Sequence, residues 1–369
     1  IRHRFGAGSG TTDRSRRALV LAVGGLMSIA LVNFLLAQLK AMGHVASIVT
    51  DGAVPYEFGV VGLAGFILFY ETRGGMRAVA WTDVLQGSIL LTGMLVIVIL
   101  LGLEVGSPAA VVQGILQVAP EKLVIDDWRI CAVWVSNFLL LGLGGPLYPQ
   151  AIQRIYAARR LSALRRALAG MALLPLIGTT SVIFVGAVGI MLFPHLSSLQ
   201  ADQVTFKVLV HLVDLRPAAY YPVLVVMMAV IAAVMSTADS CLLSLSSIVR
   251  KDFIARSERR ADSLTRSHRL NYLTPLISVT VIALAAGLAL LQPTTLWDLL
   301  VLKFEILIQM SPAFVLGTSH QRNDKRGYTS RDILAGLTAG LAVALALYLF
   351  GYRCVYVFHP GTIGVTINY

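Results

Sequence analysis

The chain has 369 residues, 57% of them hydrophobic and only 13% charged, with a mean hydropathy of +0.77. Soluble domains carry roughly a quarter charged residues, so this balance excludes a soluble globular protein and predicts an all-α polytopic membrane protein. The net charge of +11 would suggest nucleic acid in a soluble chain, but its distribution here follows topology, and no nucleic-acid partner is implied.

The opening IRHRFGAGSGTTDRSRR has no apolar core, so it is neither a signal peptide nor a span. The chain starts on Ile1, and its last segment, HPGTIGVTINY, begins another apolar run. It reads as a piece of a longer protein, incomplete at the N-terminus and at the C-terminus. Runs of about 17 to 25 mostly apolar residues predict nine spans in a single transmembrane domain: 18–43, 54–71, 82–103, 129–153, 167–193, 220–249, 270–292, 296–318 and 332–351. Such long unbroken runs fit helices and not alternating barrel strands.

If every span crosses, the segments before the first span, around Arg73 and Arg77, and at 154–166, 250–269 and 319–331 share one side. They hold most of the 30 Lys and Arg residues. By the positive-inside rule that side is cytoplasmic, in a multi-pass protein of the plasma (inner) membrane. Cys131, Cys241 and Cys354 form no disulfide framework.

Most spans are ordinary Leu/Val/Ala helices, but three carry chemistry. The fourth crowds Gly142, Gly144, Gly145, Pro146 and Pro149 into its second half, which predicts a kink or an unwound turn. Irregular backbone at membrane depth persists only where protein or a water-filled cavity lines it, and transporters bind ions and solutes there. The plain alternative is a packing kink.

In the sixth span, Ala233, Ser236, Thr237, Ser240, Ser244 and Ser247 recur at three- and four-residue steps and form one small, polar stripe. That stripe suits helix packing with hydroxyls bonded back one turn, or a site for a hard cation, which takes oxygen ligands. Asp239 favours the cation, because a carboxylate inside a span usually marks an ion or proton path. In the eighth span, Lys303 and Glu305 lie two residues apart and point to different sides of the helix. Either one anchors a charged solute, or Lys303 snorkels to the interface while Glu305 bonds a neighbouring helix.

ETRGGMRAVAWTDVLQG at 71–87 and VMSTADSCLLSLSSIVRKDF at 234–253 resemble hallmarks of the sodium:solute symporter family. GLGGPLYPQAIQR at 142–154 and LKFEILIQMSPAF at 302–314 are similar to that family's broken sixth and its tenth core helix. The resemblance implies a LeuT-type inverted-repeat core, with the nine spans as core helices three to ten plus one beyond. It also implies sodium-coupled symport of a small organic solute by alternating access, with no enzymatic activity and no cofactor beyond the coupling ion.

Carried over, Ala233 offers its carbonyl, and Ser236 and Thr237 their hydroxyls, to sodium. Asp83 lines the cytoplasmic ion pathway, although Thr82 or Asp83 also suits a helix cap, with Gly74 and Gly75 forming the tight loop before it. The solute-facing positions are Leu141, Gly144, Gly145, Pro149, Lys303, Phe304, Glu305 and Gln309. Where the sugar-transporting branch has an asparagine and aromatics near the break, this sequence offers Leu141 and two glycines, which disfavours sugar. The proline-permease branch's aromatics are also missing, and the charges of Lys303 and Glu305 make a carboxylate or an amino acid the preferred solute. Two alternatives stay open: a proton-coupled variant using Asp83 or Asp239, and a sensor module fused to a histidine kinase. The sequence has no nucleotide-binding loop of the GxxxxGK[ST] type and no His/Cys metal cluster.

Overall fold

The computed structural model describes residues 13–254, 263–291, 295–319, 328–352 and 354–369, and these are overwhelmingly helical. Parts of the predicted basic loops 250–269 and 319–331, namely 255–262 and 320–327, lie outside the described residues.

The first predicted span is one long helix, α1 (Asp13–Val49). The second and third merge into α2 (Tyr56–Glu104), 49 residues of helical backbone, where a glycine loop was expected. Gly74 and Gly75 therefore carry helical backbone, and Thr82 and Asp83 cap nothing. Two glycines cost a helix about 1 kcal/mol each, and helix-forming neighbours such as Glu71, Met76, Arg77 and Ala78 offset that.

The contacts of α2 nevertheless reverse direction along the helix α8 (Tyr220–Ile248). Its Tyr56 ring lies against Gly43, and the hydroxyl donates to the Ala289 carbonyl at 3.2 Å. Glu71 accepts from Ser246 at 3.5 Å, Asp83 meets Ser236, and Gly93 lies against Ala229. Ile97 and Leu101 then share a core cluster with Val223, Val226 and, at the level of Gly43, Val45. The arms Tyr56–Phe69 and Val79–Glu104 therefore pack antiparallel, as two spans would.

Two short helices, α3 (Pro108–Val118) and α7 (Val204–Leu215), were not foreseen. Each buries an apolar face against α6 (Leu161–Leu192). Between α3 and α6 lie α4 (Trp128–Gly144) and α5 (Pro149–Ala157), the two halves of the predicted broken span. After α8 a π-type turn over Val249–Ile254 leads on, and α9 (Ser263–Leu291) follows. The predicted span 296–318 is likewise split, into α10 (Leu296–Ile308) and α11 (Ser311–Ser319). Pro312 is the signal for this second break, since it suits the first turn of a new helix and not the middle of an old one. The chain ends with α12 (Ser330–Leu349) and α13 (Pro360–Asn368).

Among the described residues, six helices are long and apolar enough to cross a membrane, and Tyr56–Phe69, Pro108–Val118 and Pro275–Leu291 are shorter apolar helices. Many large apolar side chains are exposed: Trp134 and Phe138 are each 73% exposed and Leu349 80%. Exposure on that scale fits hydrocarbon as the solvent of these helices.

α13 docks on α12 through small residues. A Cβ on Gly340 would come within 2.4 Å of the Gly364 carbonyl oxygen, and one on Gly336 within 2.5 Å of the Asn368 oxygen. Small residues four apart let membrane helices approach this closely. Gly340→Val is expected to cost about 1–3 kcal/mol through overpacking. Thermal unfolding of the full-length protein in detergent checks it, and an unchanged midpoint would mean that the two helices do not depend on this contact.

Candidate functional site

The polar stripe on α8 turns its upper half toward α2 and its lower half toward α5. In the lower half, Gln153 of α5 accepts from the Ser244 hydroxyl at 2.7 Å and donates to Ser247 at 3.3 Å. A single amide thus satisfies two hydroxyls and ties the second half of the broken helix to α8. Gln150, one turn earlier, lies 4.0 Å from the Cys241 sulfur.

In the upper half, Ser236 donates to the Asp83 carboxylate at 2.5 Å. The Arg154 guanidinium, at the end of α5, donates both to Asp83 and to the Ser240 hydroxyl. Asp83 is only 18% exposed, and it is paired with an arginine that is half exposed. A cavity of about 430 Å³ lies here, and its lining includes Asp83, Gln150, Gln153, Arg154, Ser240 and Ser244. The Asp83–Arg154 pair joins residues 71 positions apart, and no local spacing signals it.

Thr237 donates back to the Ala233 carbonyl at 3.0 Å, and Ser240 to the Ser236 carbonyl at 2.8 Å. Of the two hydroxyls expected to face a cation, that of Thr237 therefore occupies a helix-internal bond, the arrangement that α-helical Ser and Thr adopt by default, while that of Ser236 is turned to Asp83. Asp239 lies apart from the cavity. It is wholly buried, and neither carboxylate oxygen has a hydrogen-bond partner among the described residues.

The first break runs from Gly144 to Tyr148. Gly145–Leu147 form a single tight turn, Tyr148 is extended with ψ 119°, and Pro149 opens α5 at its first position, where its missing N–H costs nothing. Gly144 is required by contact: a Cβ there would lie 2.9 Å from the Phe304 ring of α10. Tyr148 packs edge-on against the same ring, with centroids 5.4 Å apart. Pro149 is buried, while Leu141 is exposed and Gly145 half-buried.

The second break, at Gln309–Met310, is filled by the C-terminal helix. The Gln309 carbonyl, freed by the break, accepts from Asn368 at 2.6 Å, and its side chain donates to the Gly361 carbonyl at 2.8 Å. Glu305 accepts from the Gly361 N–H and pairs with His359 at 3.4 Å. Glu305 and Gln309, predicted to face solute, are thus engaged by α13. Lys303 does not snorkel: it is 1% exposed and enclosed by aromatic rings.

Paired broken helices, a polar stripe against an intramembrane carboxylate and a helix-packed apolar surface define a transporter fold of the LeuT type. The model of the sodium:solute symporter family matches residues 15–335, and the chain belongs to that family. Among curated proteins it is 25% identical over 338 residues to the sodium/pantothenate symporter of Escherichia coli, covering 89% of this chain and 68% of that protein. It is 26% identical over 211 residues to the high-affinity proline transporter of Bacillus subtilis, covering 56% of this chain and 43% of that one. The chain therefore spans between less than half and about two thirds of the length of these relatives. A solved structure of a Na+-coupled sialic acid symporter, substrate-bound and outward-open, superposes with a TM-score of 0.69 at 19% identity, over 96% of this chain and 72% of that one.

Proposed function

We propose that the protein performs sodium-coupled secondary active symport of a small organic solute by alternating access. The observation that carries this reading is the convergence of Asp83 and Ser240 on a cavity beside the broken helix α4–α5, with Ser236 bonded to Asp83 behind it. A carboxylate and hydroxyls within membrane-spanning helices suit a dehydrated hard cation. In this reading Ala233 contributes its carbonyl, and Ser236 and Thr237 their hydroxyls, once the helix-internal bond of Thr237 is exchanged for sodium. Asp83 lines the route to the cytoplasm.

All nine predicted spans then cross the bilayer, with the basic segments at 154–166, 250–269 and 319–331 cytoplasmic. The solute is a carboxylate or an amino acid. Pantothenate, proline and sialic acid, named for the relatives, all carry a carboxylate.

The test is sodium-dependent thermal stabilisation and solute uptake by the full-length protein, with potassium as the control. Sodium is expected to stabilise the wild type, and Ser236→Ala/Thr237→Ala to lose both that response and uptake. A double variant that responds to sodium as the wild type does would make those hydroxyls packing groups and overturn the assignment.

A further inference from the structure

Among the described residues Lys303 is the largest fully buried side chain, at 1% exposure, and its Nζ has no hydrogen-bond partner there. Three rings surround it instead. Nζ lies 3.3 Å from the centroid of Phe34 on α1, 4.5 Å from Phe304 and 4.6 Å from Tyr148 in the break between α4 and α5. The rings brace one another, with Phe34 and Tyr148 centroids 5.9 Å apart. α1 is held to α10 at this level by Asn33, which donates to the Leu299 carbonyl at 2.6 Å.

Ring faces attract an ammonium through their quadrupoles, but that attraction is smaller than the cost of taking the charge out of water unpaired. The neighbouring acid does not close the gap, because Glu305 is engaged by His359 and Gly361 on α13. A hydrogen-bond donor set of three N–H groups is therefore left among aromatic rings beside the broken helix, the part of a transporter core where solutes bind.

We propose that Lys303 anchors the carboxylate of the transported solute, whose apolar portion lies against Phe34, Tyr148 and Phe304. This rests on the symport reading and names the solute class: an organic monocarboxylate. Tyr148, which covers the ammonium, belongs to the turn of the broken helix, so rotation of that turn uncovers Nζ.

The experiment uses the full-length protein with pantothenate, proline, sialic acid and phenylacetate, each compared with its primary amide. It reads solute-induced thermal stabilisation in sodium. In the wild type, at least one acid is expected to bind about 10- to 100-fold more tightly than its amide, the weight of a charge-assisted hydrogen bond in a dry site. Lys303→Met is expected to erase that preference and Lys303→Arg to retain it. Stabilisation by sodium without solute is read separately: its persistence in Lys303→Met shows a folded variant, and its absence from the wild type would sink the symport reading without touching the acid-over-amide preference. If Lys303→Met does not fold, the wild-type and Lys303→Arg comparisons decide. The proposal is overturned if no acid stabilises the wild type, if the amides match the acids, or if Lys303→Met keeps the preference.

Discussion

Asp83→Asn is expected to shift the sodium response of the full-length protein to much higher sodium concentrations and, with it, to weaken sodium-driven uptake. The carboxylate is the point where α2, α5 and α8 meet, since it accepts from Ser236 and is paired with Arg154. Asparagine keeps the size and one acceptor oxygen but removes the negative charge. The Arg154 cation then stands at the cavity without an opposing anion, and a second cation has nothing to approach. Loss of this charge beside the ion route corresponds to about 10- to 100-fold weaker sodium binding, read as the sodium concentration needed for half-maximal stabilisation.

Asp239→Asn supplies the contrast. That carboxylate is buried with no hydrogen-bond partner among the described residues, and an unpaired buried charge is costly. Neutralising it is expected to raise the unfolding temperature while leaving the sodium response in place. If Asp239→Asn removed the response and Asp83→Asn did not, the ion route would run along the other side of α8.

The helical membrane architecture was legible because it rests on composition and run length, which need no tertiary information. The first break was legible for a related reason: two prolines and three glycines within eight residues leave few other conformations. The second break had a single proline, Pro312, at its edge, and one proline inside an apolar run is common in membrane helices. The two apolar runs of α2 stand out in the sequence, but the glycine pair between them was taken for a loop because two adjacent glycines usually mark one, and the chain there is helical.

The site divides along the same line. Ser236 and Asp83 stand out individually as polar groups in apolar runs. Their meeting with Arg154 depends on how three helices pack, and Arg154 itself looked like one more basic residue at a cytoplasmic helix end. The aromatic enclosure of Lys303 was hidden for the same reason, because Phe34 and Tyr148 are unremarkable residues on helices distant in sequence.

Glu305 separates a solute-binding role from a structural one. Its side chain is 7% exposed and faces His359, itself 9% exposed, while the same carboxylate accepts from the Gly361 N–H at the start of α13. His359 is fixed from the other side, its backbone N–H donating to Ser136 of α4 at 3.0 Å. Glu305→Ala leaves a buried N–H and a buried imidazole without their acceptor, and breaking a buried pair from one side costs about 3–5 kcal/mol. The variant is expected to unfold at a markedly lower temperature, with α13 the first element to become accessible to protease. Glu305→Gln keeps an acceptor oxygen for Gly361 and is expected to recover most of the loss. Because the group serves α13, Glu305→Gln should also leave the relative affinities for acids and amides unchanged. A shift in solute preference with no loss of stability would return Glu305 to the solute pocket and leave the docking of α13 to its glycine contacts with α12.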